Sequence, residues 1–179
     1  MRYMDTKDFI ARLVAVPGVS GYEEEIARLI SEAFKPYCQE VRTDNFFNVY
    51  GRKTDGHSEN MPKVMIAAHM DEIGLMVTDI DEKGFIKFTN IGGVDPRILL
   101  GQEVEIHGKE KLFGVIGAKP PHLQQVRDTR KAVKMEDMTI DVGLPADRVR
   151  EQVNVGDTIT FVSPLVELKG GMISAKSLD

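Results

Sequence analysis

The residues in this sequence best suited to chemistry are His69 and Asp71, in the stretch "KVMIAAHMDEIGLMV" from Lys63 to Val77. Side chains two apart on an extended chain point to the same side. A histidine that ligates a metal through one ring nitrogen is commonly held at the other by a carboxylate, which fixes its tautomer and orientation. His-x-Asp at the end of a strand supplies both parts. The alternative is a His and an Asp that simply leave the sheet into a polar loop, and the spacing alone does not decide between them.

The other histidines offer less. His57 lies in the polar turn "DGHSEN" and reads as surface, His107 alternates outward from "VEIHG" and reads as solvated, and His122 follows "KPP" in a loop. A catalytic zinc takes about three protein ligands plus water, and no second His or Cys stands at such a spacing from His69. Neither G-x-G-x-x-G nor G-x-x-x-x-G-K-[ST] occurs, which argues against a phosphate cradle. There is no G-x-S-x-G elbow. Cys38 has no basic neighbour in sequence and reads as a structural thiol. With 28 acidic residues, any choice of a glycosidase carboxylate pair would be arbitrary.

The elements that must position His69 and Asp71 begin with two helices. Asp5 or Thr6 caps the first, with Phe9, Ile10, Leu13 and Val14 on one face and Pro17-Gly18 ending it. Ser20 and Glu23 form a capping box for the second, whose stripe is Ile26, Leu29, Ile30 and Phe34, stopped by Pro36. "FFNVYGRK" and "KVMIAAH" read as strands, the second continuously apolar and so expected to be buried on both faces. From Asp71 short strands alternate with turns: "IGLMVTDI", "FIKFTNIGG", "QEVEIHG", "LFGVIGAK", "MTIDVG" and "GDTITFV". That spacing predicts a small barrel or sandwich. Gln124 to Met138 is charged and reads as an exposed, mobile loop; "PADRVREQV" reads as a short helix and "VELKGGMISAKSLD" as a hairpin.

The whole chain has 179 residues, a formal charge of −5 and a pI near 5.4. This length supports one domain or two small ones. The charge gives no field for nucleic acid. A single cysteine excludes an internal disulfide framework and fits a reducing, cytoplasmic compartment. The polar N-terminus does not read as a signal peptide, and no apolar run reaches the roughly 18 residues of a membrane span.

Five ordered blocks carry a resemblance that covers essentially the whole chain: "PGVSGYEEEIA", "AAHMDEIGLMV", "NIGGVDPRILLGQEVEIHG", "GVIGAKPPHL" and "ISAKSLD". Together they closely resemble the TET-type cocatalytic metallo-aminopeptidases, glutamyl and leucyl aminopeptidases also catalogued as cellulase M or endoglucanase. The resemblance implies an α/β peptidase domain, a mixed sheet with flanking helices, interrupted by an inserted small β-barrel, PDZ-like domain used in assembly. The peptidase part would be residues 1–72 and 162–179, and the insert 73–161. His69 would ligate one of two divalent ions (zinc, cobalt or manganese), and Asp71 would be the active-site carboxylate that orients it. Asp179, in "AKSLD" where the family has "AKALDDR", would bridge both ions. The general-base glutamate and the remaining ligands would lie beyond residue 179. The 179-residue chain alone is therefore expected to be inactive and to hold metal weakly, if at all. The expected partners are peptide substrates and copies of itself in a dodecamer, with no nucleic acid and no membrane. Two other readings stand beside this one: a non-catalytic oligomerisation or binding module, and, more weakly, the endoglucanase of the family's older label.

Overall fold

The computed structural model describes residues 5–54, 62–119 and 133–178. They form two compact units, residues 1–72 and 73–179.

In the first unit, α1 (Thr6–Val14) is capped by Asp5, whose carboxylate accepts from the Asp8 amide at 3.1 Å. Helix α2 spans Glu24–Phe34; Lys35 at its C-cap keeps helical angles, and Pro36, which has no amide to donate, follows it. The capping box is not formed: Glu23 occupies the cap position without a side-chain cap bond, and its carboxylate accepts from the Gly21 amide at 2.8 Å. Ser20 is used elsewhere. Strands β1 (Glu40–Thr43) and β2 (Val49–Arg52) pair as an antiparallel hairpin, with Thr43 opposite Val49. Phe46 and Phe47 of "FFNVYGRK" belong to its tip, where the Asp44 carboxylate accepts from the amides of Phe46 and Asn48. Gly51 lets α2 close on the hairpin. A Cβ there would come within 2.8 Å of both Phe34 Cδ2 and the Cys38 sulfur. The buried apolar residues of this unit are Val14, Val19, Ile26 and Ala27.

The strand expected from "KVMIAAH" is not buried. Residues 62–70 are in no strand, and Val64, Met65 and Ile66 are 85%, 88% and 94% exposed. A continuous apolar run marks a strand meant for cover on both faces. Among the described residues β1 and β2 pair with each other alone, and no strand lies beside the run.

The second unit is a closed antiparallel barrel in the order β3-β4-β7-β6-β5-β8. Its strands are β3 (Gly74–Ile80), β4 (Ile86–Ile91), β5 (Glu103–His107), β6 (Lys111–Ala118), β7 (Met138–Asp141) and β8 (Thr158–Phe161). Alternation fills it: Val104 and Ile106 point inward from β5, and Ile86 and Phe88 from β4, while Glu103 and Lys87 face out. Leu75, Ile116, Ile140 and Ile159 complete the centre, each at most 1% exposed. Helix α3 (Ala146–Gln152) adds Val149 to the same core. In the turn "DEKG", the Asp81 carboxylate accepts from Lys83 and Phe85, and Gly84 takes φ +93°. The expected hairpin near the end forms as β9 (Val166–Glu167) and β10 (Ile173–Ser174), turned by Gly170 and Gly171 at positive φ.

Two readings of this unit need correction. Most of the segment expected to be a mobile loop lies outside the described residues, but its end is structured. Met135–Asp137 form a 3-10 turn, and Met138 starts β7 with 2% exposure. Charge dominates that stretch, yet Val133, Met135 and Met138 pack on the core. His107 is not solvated either. Its side chain is 14% exposed, with Nε2 2.8 Å from Thr160 Oγ1 and Nδ1 3.7 Å from Glu105 Oε1. On the face that alternation assigned to water, the ring meets Thr160 of the neighbouring strand β8, which pairs with Glu105 and is itself 5% exposed.

No helix among the described residues is long and apolar enough to cross a membrane.

Candidate metal centre

His69 and Asp71 lie in the first unit, where the exposed apolar run ends. The segment is anchored by the loop after α1. Val19 pairs with Glu72 in an isolated parallel bridge. The Glu72 amide donates to the Gly18 carbonyl at 2.8 Å, the Ser20 amide to the Glu72 carbonyl at 3.3 Å, and the Gly18 amide to Glu72 Oε1 at 3.1 Å. Gly18 eases this approach: a Cβ there would press on Ile26 Cγ2 at 3.0 Å and lie in ordinary contact with the Met70 carbonyl at 3.5 Å.

Held this way, the imidazole has a defined hydrogen-bond arrangement. His69 Nδ1 is 3.1 Å from Asp71 Oδ1 and 3.1 Å from the Asp71 carbonyl oxygen. Both neighbours only accept, so Nδ1 must carry the proton and donate. In the neutral ring this leaves Nε2 bare, with its lone pair free of these partners. The side chain is 62% exposed, so that nitrogen is open to a ligand. The second carboxylate oxygen, Asp71 Oδ2, accepts a short hydrogen bond from Ser20 Oγ. The Ser20 hydroxyl, opposed in part by burial and aided by His69, holds the Asp71 carboxyl below the usual range. Asp71 is thus a carboxylate when His69 is neutral, the pairing a ligating imidazole needs.

The donor chemistry therefore fits a divalent cation at His69, with Asp71 behind it. Among the described residues no cluster of three or more His, Cys, Asp or Glu side chains gathers to complete a metal site. Asp179, expected as the bridging ligand, lies outside the described residues, as do His57 and His122. Ser20 is the site residue that spacing missed. It stands 51 positions from Asp71, and its local signature, serine three before glutamate, was that of a helix cap.

Comparison with known proteins decides the family. The sequence profile of the M42 glutamyl aminopeptidases matches residues 48–179. The chain belongs to this M42 family. A lysyl aminopeptidase of Pyrococcus furiosus is 35% identical to this M42 chain over 177 residues, 96% of the chain and 50% of the relative. Among solved structures, a TET aminopeptidase from a marine-sediment thaumarchaeote superimposes with a TM-score of 0.85 at 32% identity, over 92% of this chain and 46% of that one. The Pyrococcus horikoshii TET1 peptidase, which assembles into a tetrahedron or a large octahedral shell, gives 0.80 at 33% identity, over 96% of this chain and 51% of its own. The M42 chain spans about half the length of the relatives it matches.

Proposed function

We propose that this M42 chain carries part of the dinuclear-metal site of an aminopeptidase that removes N-terminal residues from peptides. One observation supports this above the others: His69 donates from Nδ1 to Asp71 and so presents Nε2 bare and exposed. His69 serves as a metal ligand, Asp71 fixes its ring, and Asp179 is assigned the bridging position by resemblance. When bound, a pair of divalent ions (zinc, cobalt or manganese) supplies polarisation of the scissile carbonyl and activation of water. The chain's own residues orient the ligand imidazole and keep it in the tautomer that can bind. The general base and the remaining ligands are assigned to no described residue.

The barrel is proposed as the inserted, PDZ-like assembly domain (73–161), with 162–179 returning to the peptidase part and a dodecamer as the assembled form. Support comes from the barrel's closure, since the entering strand β3 and the leaving strand β8 are neighbours, Leu75 opposite Ile159. A domain inserted into another must begin and end close together.

With one histidine and its carboxylate as the described machinery, the 179-residue chain alone should not cleave peptides. Purified chain supplied with zinc or cobalt is expected to release no chromophore from leucyl or glutamyl nitroanilides, and no reducing sugar from soluble cellulose. Metal-dependent release from either nitroanilide by the chain alone would overturn the assignment of incomplete machinery. Sugar release would favour the endoglucanase reading instead. A second reading, a non-catalytic assembly module, is favoured by the barrel's own closed core. A discrete oligomer with no affinity for metal would support it.

A further inference from the structure

We propose that Ser20 is a positioning residue for this site: its hydroxyl locks the Asp71 carboxylate so that His69 is held in the Nδ1–H tautomer with Nε2 bare. The inference rests on the reading above only for what Nε2 receives.

Ser20 forgoes a local role. Ser20 stands three residues before Glu23 at the approach to α2, where its hydroxyl would ordinarily cap the helix. The helix instead begins at Glu24 with no side-chain cap bond, and the Ser20 hydroxyl turns to Asp71 Oδ2. A donor drawn away from a local acceptor role to a residue 51 positions distant marks a contact that the tertiary structure favours.

What it does there follows from the geometry of a carboxylate. The torsion that turns an Asp carboxylate has broad, nearly two-fold freedom. With Oδ1 alone engaged by His69, the plane can rotate, and for part of the time Nδ1 keeps only the Asp71 carbonyl as its acceptor. Engaging Oδ2 from Ser20 and Oδ1 from His69 pins both ends of the carboxylate. Ser20 itself is tied down, because its amide donates to the Glu72 carbonyl and Val19 is bridged to Glu72. The loop 18–20 therefore transmits a fixed position through one hydroxyl to one carboxylate to one imidazole. Gly21, at φ +87°, turns the chain immediately after the serine and frees it from the helix axis.

The test is nitrogen NMR of the histidine rings in the 179-residue chain, at about pH 8, above the ordinary imidazole range. The His69 signal is assigned by its loss in His69→Gln. In the wild-type chain, the Nδ1 and Nε2 shifts of His69 should be those of a proton held on Nδ1. In Ser20→Ala they should move toward the averaged values of a mobile ring, and zinc affinity read from the same signals should fall severalfold, up to about the tenfold lower limit for loss of a direct ligand partner. Ser20→Thr, which keeps the hydroxyl, should restore both. A merely structural serine would leave the tautomer unmoved in any folded variant. Unchanged His69 shifts in folded Ser20→Ala, or failure of Thr to restore them when Ala shifts them, would overturn the proposal. If the tautomer follows the hydroxyl but zinc never perturbs Nε2, the positioning role stands and the metal reading alone falls.

Discussion

Asp95 illustrates how a single exposed carboxylate is tuned by its neighbours in sequence. It accepts from the Arg97 amide at 2.9 Å and from Arg97 Nε at 3.0 Å, capping the 3-10 turn Pro96–Ile98. The Arg97 side chain, followed by its amide, lowers the Asp95 pKa from 3.8 to about 2. A depressed folded-state pKa contributes stability that is present above the unfolded value and is lost as pH falls through the folded one. The Asp95 contribution should thus persist above about pH 4 and disappear toward pH 2. Carboxyl-carbon NMR should place its midpoint near 2, rising part of the way toward the ordinary range in Arg97→Ala, which removes the guanidinium but keeps the amide. An ordinary midpoint in the wild-type chain would contradict this. Asp95–Arg97 is readable from spacing because the partners are two residues apart. Ser20–Asp71 is not, because local pattern offers Ser20 a plausible helix to cap, a role worth about 1 kcal/mol, and nothing in the sequence reports the residue it meets instead. His69–Asp71 was half legible. Period two expected a shared side at a strand end; the two side chains do meet, but residues 62–70 form no strand, and only the folded chain shows that Nδ1 faces two acceptors.

Elements are legible when one face is buried within the same unit. Alternation along β5 and β4 gave the barrel strands because Val104, Ile106, Ile86 and Phe88 meet a common core. The order in which the strands close was not legible: β4 pairs with β7 across a long stretch of chain, and β3 with β8. "KVMIAAH" failed for the converse reason, since its apolar character specifies cover that the described residues do not provide. Close approach of backbone is likewise invisible in sequence. A Cβ on Gly108, between β5 and β6, would lie 2.3 Å from the Gln152 carbonyl oxygen at the end of α3. That same oxygen accepts from the Lys109 amide at 2.8 Å. Gly108→Ala must move backbone and weaken this bond, a loss of about 2–4 kcal/mol by overpacking and hydrogen-bond costs. Gly117→Ala in β6, where a Cβ meets nothing within 4 Å, should stay within about 0.5 kcal/mol. Denaturant midpoints of the two variants check this, and equal midpoints would show that α3 does not pack against that turn.

At the scale of the whole molecule, the two units differ in how far each one satisfies itself. The barrel has a closed hydrogen-bond network and a continuous core. The first unit has few buried apolar residues, an exposed apolar run, and the candidate ligand at the end of that run. The candidate ligand and the incomplete cover thus fall in the same unit. The most direct test of the central claim, that His69 is a metal ligand oriented by Asp71, is a zinc titration of the 179-residue chain followed by ring-nitrogen NMR. Zinc should perturb Nε2 of His69, and Asp71→Asn should weaken this binding by roughly 10–100-fold. A His69 signal indifferent to saturating zinc, or equal affinity in folded Asp71→Asn, would contradict it.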